Sequence, residues 1–170
     1  ALGTAALRSQ NFDLALAAAE RAAQDDPGWT EPQLLVARTL IAAGRSDEGL
    51  ALASALAAEE TSPLADLAHV RMLADAGRID EARVKLDGLA SRYGERAEIS
   101  RTRALLDLAA GELDAADQRF AAMEGAGQER FEVFYYRALI AVQKGDADLA
   151  RRYYQRISSG PYLVPAQLAI

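Results

Sequence analysis

Few residues in this chain are of types and spacings that could do chemistry. The lone histidine, His69, stands beside Val70 and Met72 in a helical stretch, where a packed or solvent-facing ring is the ordinary outcome. The most conspicuous acids recur in five related phrases: QNFDLAL at 10–16, GRSDEGL at 44–50, GRIDEAR at 77–83, GELDAAD at 111–117 and GDADLAR at 145–151. Two carboxylates that act as acid and base must flank one reacting bond. These are a full repeat apart, so they cannot pair in that way. No HExxH, GxSxG, phosphate loop or glycine-rich nucleotide fingerprint is present. Acids alternate with arginines, which does not suit the converging ligands a metal needs. Cysteine is absent, which excludes disulfides, thiolate zinc sites and cysteine nucleophiles. No catalytic residue, metal ligand or cofactor site is expected.

The phrases are better read as structure. Aligned on a small residue (Ala15, Gly49, Ala82, Ala116, Ala150), they are spaced by 34, 33, 34 and 34 residues. Gln10, Gly44, Gly77, Gly111 and Gly145 precede the small residue by five positions, and Asp13, Asp47, Asp80, Asp114 and Asp148 by two. Glycine ends a helix by adopting the left-handed conformation. An aspartate just beyond it can cap the next helix and face its positive end. The small residue lets the two helices approach. Each phrase is therefore a helix–turn–helix corner.

Breakers separate the repeats: Asp25-Asp26-Pro27-Gly28, Thr61-Ser62-Pro63, Arg92-Tyr93-Gly94, Gly125-Ala126-Gly127 and Ser159-Gly160-Pro161. No segment alternates with period two, so no sheet is expected. Helices are predicted over 1–9, 13–25, 30–43, 47–60, 63–76, 80–93, 96–110, 114–125, 129–144, 147–158 and 164–170.

A 34-residue helix pair resembles the tetratricopeptide repeat, and Leu2-Gly3, Phe12, Ala15, Ala22 and Pro27 of the first repeat carry the likeness best. The pattern departs where Gln33, Asp66 and Ser100 replace an early aromatic, and where His69, Arg103 and Arg137 replace a large apolar residue. The resemblance implies an all-α, right-handed superhelix of about five repeats, roughly 1–28, 29–62, 63–95, 96–128 and 129–162, with 163–170 opening a further one. No polar capping helix is visible at either end, so a fragment of a longer array is expected, able to self-associate through its terminal faces.

In such an array the first helix of each repeat lines the concave groove. The repeat phase nominates Leu34, Arg38 and Ile41; Leu67, Arg71 and Asp75; Arg101 and Leu105; and Glu132, Tyr135 and Leu139 as the partner-binding surface. Arg38, Arg71 and Arg101 read as a basic line suited to bidentate carboxylate contacts, or else as partners of Glu31, Glu98 and Asp75. Aromatic residues crowd the last third. FEVFYYR at 131–137 carries too many rings for one buried stripe, so one or two are expected at the surface, Tyr135 foremost. The resemblance also brings a known mode, a peptide C-terminal carboxylate held by paired Asn and Lys. Asn11, Lys85 and Lys144 are not placed for it.

With 170 residues, 51% of them hydrophobic, and a net charge of −6, the chain is large enough for a small repeat array and too acidic for non-specific nucleic-acid binding. Its longest mostly apolar run, Gly49 to Ala58, is too short to span a bilayer. The expected function is a non-enzymatic scaffold or adaptor that binds a protein or peptide. The alternatives are a regulatory or substrate-binding segment of a larger enzyme and a cytoplasmic assembly or secretion chaperone. Abundant alanine and a preference for arginine suggest a GC-rich bacterial source. The closing phrase ARRYYQRISSGPYLVPAQLAI resembles repeats of bacterial cell-envelope tetratricopeptide proteins. That likeness implies a periplasmic, outer-membrane-attached lipoprotein acting as a protease adaptor.

Overall fold

The computed structural model describes residues 2–59, 63–126 and 130–169. Parts of two expected breakers, Thr61-Ser62 and Gly127, lie outside them. The described residues form eleven helices and no strand. Helices α1 (Leu2–Arg8) and α2 (Phe12–Asp25) make the first hairpin. The next are α3 (Thr30–Ala42) with α4 (Ser46–Glu59), then α5 (Pro63–Asp75) with α6 (Ile79–Tyr93). In turn come α7 (Ala97–Ala109) with α8 (Leu113–Gly125), α9 (Arg130–Gln143) with α10 (Ala147–Gln155), and the short α11 (Leu163–Leu168). They divide into two compact units, 1–94 and 95–170.

The five corners share one hydrogen-bond pattern. At the second, the Arg45 amide donates to Leu40 O at 2.8 Å and the Gly44 amide to Ile41 O at 3.0 Å. The other corners repeat this with Arg78 to Leu73, Glu112 to Asp107, Asp146 to Ala141 and Asn11 to Ala6. This is the Schellman closure of a helix, and it needs a left-handed residue. Gly44, Gly77, Gly111 and Gly145 supply it at φ of 83, 77, 77 and 80°. At the first corner Gln10 does so at 58°, where a side chain is strained.

One expectation about the corners is corrected. The recurrent aspartates do not cap. Most second helices begin a residue earlier than the phrase suggested, so Asp47, Asp80 and Asp114 are already the second helical residue. They face the positive end of the dipole from inside the first turn. Side-chain capping falls to Asn11, which accepts from the Leu14 amide at 3.2 Å, and Asp146, which accepts from Leu149 at 2.9 Å. In the two GRxDE copies the arginine and glutamate close on each other instead, Arg45 with Glu48 and Arg78 with Glu81, each through two hydrogen bonds.

The small residue of each phrase sits at the helix crossing. Ala15, Ala82 and Ala116 are fully buried. At Gly49 even a methyl is too much, since a Cβ there would lie 2.5 Å from Ala37 O. Elsewhere the core contains Leu86 and Val70 in the first unit, and Phe120 and Phe134 in the second. Each such side chain contributes about 2–3 kcal/mol of transfer free energy.

Polar residues at apolar repeat positions bring their own partners. Buried Asp66 receives Lys85 at 3.0 Å. Arg137 bridges Asp117 at 2.8 Å and Glu124 at 2.7 Å while its guanidinium lies over the Tyr153 ring. Burial tends to raise the Glu124 carboxyl, but hydrogen bonds from Arg156 and Arg137 outweigh it and hold the carboxyl below its ordinary range. Helix α10 stops at Gln155, three residues earlier than expected, because Arg156 and Ile157 close a tighter turn onto Tyr153 and Tyr154. That turn seats Arg156 over Phe134, 3.8 Å from the ring centre.

Candidate functional site

In the first unit, α1, α2, α3 and α5 enclose a cleft of about 600 Å³. Its floor is apolar, with Leu34, Leu35 and Ala68. At its edge stand Trp29, which is 51% exposed, and Leu64, which is 55% exposed. Arg21, Arg38 and Arg71 line the same space, with Glu31 as the one acid among the lining residues. The turn that carries Trp29 holds itself. Asp26 accepts the Gly28 amide on its side chain at 3.2 Å and the Trp29 amide on its carbonyl at 3.1 Å. Gln33 then reaches back to Pro27 O at 2.9 Å. The chain's one tryptophan is thus presented from a fixed turn just before α3.

The residues nominated from the repeat phase go to different fates here. Leu34, Ile41 and Leu67 are at most 8% exposed, so most of their surface is spent on packing between helices. Arg38 is exposed and Arg71 half-buried, and both line the cleft. Asp75 lies at the surface within electrostatic reach of both arginines.

In the second unit the equivalent surface is occupied by the unit's own side chains. Arg101 meets Glu132 at 3.1 Å, and their side chains are only 22% and 12% exposed. Glu132 also accepts the Tyr162 hydroxyl at 3.0 Å. Burial, and then that hydrogen bond to an anion, push the Tyr162 phenol far above its ordinary range. The Tyr162 ring lies 5.1 Å from that of Tyr135, which also neighbours Tyr136 and Tyr154. Leu105 and Leu139 are half-buried, Leu105 against the Phe120 core.

The expectation for FEVFYYR is corrected on this point. None of its rings is strongly exposed, and Tyr135 is half-buried. Helix α9 buries more than one stripe. Phe134 faces α10, Tyr136 stacks on Phe120 of α8 at 5.2 Å, and Tyr135 turns to the Tyr162 segment. The basic line divides likewise. Arg38 and Arg71 line the cleft of the first unit, whereas Arg101 belongs to the second unit and is paired there with Glu132.

Two residues that matter here, Trp29 and Tyr162, lie in turns. A search restricted to first-helix faces passes over them. Each is an aromatic residue within two positions of a turn proline, Pro27 and Pro161, and that was the available signal.

A second cleft, about 690 Å³, opens between α4, α5 and α6 on Leu50, Leu73 and Val84, with buried His69 beside it. Its rim is mixed, Asp47, Asp80 and Glu81 against Arg78 and Lys85. Among the described residues no group of three His, Asp or Glu converges as a metal site, and no helix is long and apolar enough to cross a membrane.

The sequence matches no protein-family profile and no curated protein. Solved structures do resemble it. A thermophilic TPR protein of Thermus thermophilus superimposes with a TM-score of 0.71 at 21% identity, over 98% of this chain and 92% of that one. MamA of MSR-1 superimposes with a TM-score of 0.52 at 16% identity, over 92% and 94%. Five Schellman corners on a 33–34-residue beat, and this superposition, give the chain the all-α fold of a tetratricopeptide repeat protein.

Proposed function

We propose that the chain is a protein-binding scaffold and that its first unit holds a segment of a partner protein in the Trp29 cleft. The observation that carries this reading is an exposed tryptophan and three arginines placed around an apolar floor of about 600 Å³. Tryptophan and arginine are the residue types that dominate binding energy at protein interfaces, and the volume admits a few side chains of a peptide. The tetratricopeptide fold supports the same class of function by analogy. Within that class, the resemblance of the closing phrase supports a bacterial envelope adaptor, which fractionation of the source cell tests.

The direct test is a photoreactive side chain at position 64, at the cleft, compared with one at position 142, exposed on the second unit. Crosslinking in native extract is expected from position 64 to a discrete second protein and not from position 142. Equal yields from both, or none from position 64, would remove the cleft as the binding surface.

A further inference from the structure

We infer that the segment held by the Trp29 cleft is acidic, with carboxylates set beside a bulky apolar side chain. The inference rests on the cleft being the binding surface and adds the chemistry of its occupant. The chain as a whole carries −6, yet the residues lining this cleft include three arginines and one glutamate. Arg38, exposed like Arg21, has no ion pair within 4 Å among the described residues. Asp75 reaches Arg38 and Arg71 electrostatically but leaves Arg38 exposed at the surface. A cationic rim on an anionic molecule attracts an anionic partner and repels other cationic ones.

The second requirement comes from the floor. Leu34, Leu35 and Ala68 give the cleft an apolar base, shared with Trp29 and Leu64. A purely acidic tract would leave that apolar surface uncovered, and a purely apolar one would not engage the exposed Arg38 guanidinium. Carboxylates spaced about an apolar anchor satisfy both. Planar guanidiniums receive carboxylates bidentately, and a tryptophan face receives an aliphatic or aromatic side chain. The second unit provides an internal version of this chemistry, since Arg101 there is matched by a carboxylate, Glu132, backed by the tyrosine rings.

The test uses the chain itself and short synthetic peptides. One carries paired glutamates beside leucine and phenylalanine. A second replaces the glutamates with lysines, and a third replaces the apolar pair with serines. Because the sequence has a single tryptophan, its fluorescence reports on this cleft alone. The acidic, apolar peptide is expected to shift Trp29 emission on binding. Both other peptides should bind at least about tenfold more weakly, and added salt should weaken the first. Arg38→Ala with Arg71→Ala should lose about tenfold in affinity. Arg38→Glu, a change at an exposed site, guards against misfolding of the double variant and should reverse the preference between glutamate and lysine peptides. Equal binding of those two peptides, or unchanged affinity in Arg38→Glu, would overturn the inference. A protein that still crosslinks through position 64 while preferring the lysine peptide would keep the scaffold reading and remove the acidic partner.

Discussion

The two units use the same hairpin and the same corner, yet they treat the equivalent surface in opposite ways. In the first unit it is left open. Trp29 and Leu64 project past an apolar floor, and Arg38 stands exposed. In the second unit Glu132 takes both Arg101 and Tyr162, and three tyrosine rings close over the space. The skeleton is therefore indifferent to function. In the second unit a carboxylate and tyrosine rings fill their surface, whereas in the first the space beside Trp29 and Arg38 stays open. In a repeat fold this is economical, because the hairpin's stability comes from its small residues and glycine corner and leaves the surface positions to vary.

The largest expected effect follows from breaking the closed surface. Replacing Glu132 by Ala takes the carboxylate away from the Arg101 guanidinium, at a site only 22% exposed, and frees the Tyr162 hydroxyl. Removing one carboxylate from a mostly buried charge should cost about 2–3 kcal/mol. Tyr162→Phe removes only the hydrogen bond to the carboxylate and should cost about 1.5 kcal/mol. Chemical denaturation followed by circular dichroism checks both. The exposed Arg38→Ala in the open cleft should change stability by less than about 0.5 kcal/mol. If Arg38→Ala proves as costly as Glu132→Ala, Arg38 is held by its neighbours and the contrast between an open and a closed surface fails.

The next effect concerns the crossing inside the hairpin. Ala15, Ala82, Ala116 and Ala150 fit a methyl where Gly49 has room for none, because Ala37 O and Ile41 Cγ1 would lie 2.5 and 2.7 Å from it. Gly49→Ala gains helix propensity of about 1 kcal/mol, yet a backbone oxygen cannot move aside easily. Overpacking should win, with a net loss of about 1–2 kcal/mol, read as a lower midpoint of thermal unfolding. A gain in stability would show that the α3–α4 hairpin can open to the spacing of the others.

Much of this skeleton could be read in the sequence, and particular residues show why. Gly44, Gly77, Gly111 and Gly145 mark left-handed turns because only glycine adopts them without strain. The site was harder to read, because phase arithmetic assigns direction to helix positions only. Trp29 and Tyr162 belong to turns, whose side-chain directions depend on local hydrogen bonds such as those of Asp26. Leu34 and Ile41 of α3 and Leu67 of α5 are buried, because whether a helix residue is packed or left at the surface depends on how closely its neighbours approach. Tyr135 shows the same difficulty. Its exposure is decided by Tyr162, which lies 27 residues further along the chain.

A smaller effect comes from the one corner that departs from glycine. Gln10 holds φ at 58°. A left-handed residue with a side chain costs about 1 kcal/mol, and glycine's greater freedom in the unfolded chain offsets part of any gain. Gln10→Gly should therefore stabilise by about 0.5 kcal/mol, read as a raised denaturant midpoint. At Gly77, with φ at 77°, the effect reverses and any side chain should destabilise.

The finest distinction between the units is their response to mild acid. The chain's only histidine belongs to the first unit. Burial pushes the His69 imidazole below its ordinary value, with Lys85 and Arg78 acting in the same direction and Asp66 and Glu81 opposing. The unfolded chain therefore takes up this proton at a higher pH than the folded one does. As pH falls through about 6.5, the unfolded state binds more protons, and folding stability must decline. Above about pH 7.5 neither state holds the proton and the contribution is flat. His69→Gln removes the group, so the decline between about pH 7.5 and 5.5 should be lost; burial raises the Asp75 carboxyl, but its folded form takes up the proton first and so acts in the opposite direction. Hydrogen exchange separates the units in the same experiment. Amides of α5 and α6 should exchange faster at the lower pH, after correction for intrinsic rates, while those of α9 and α10 hold their protection. If protection falls equally in both, or if His69→Gln follows the wild-type profile, some group other than the imidazole carries the response.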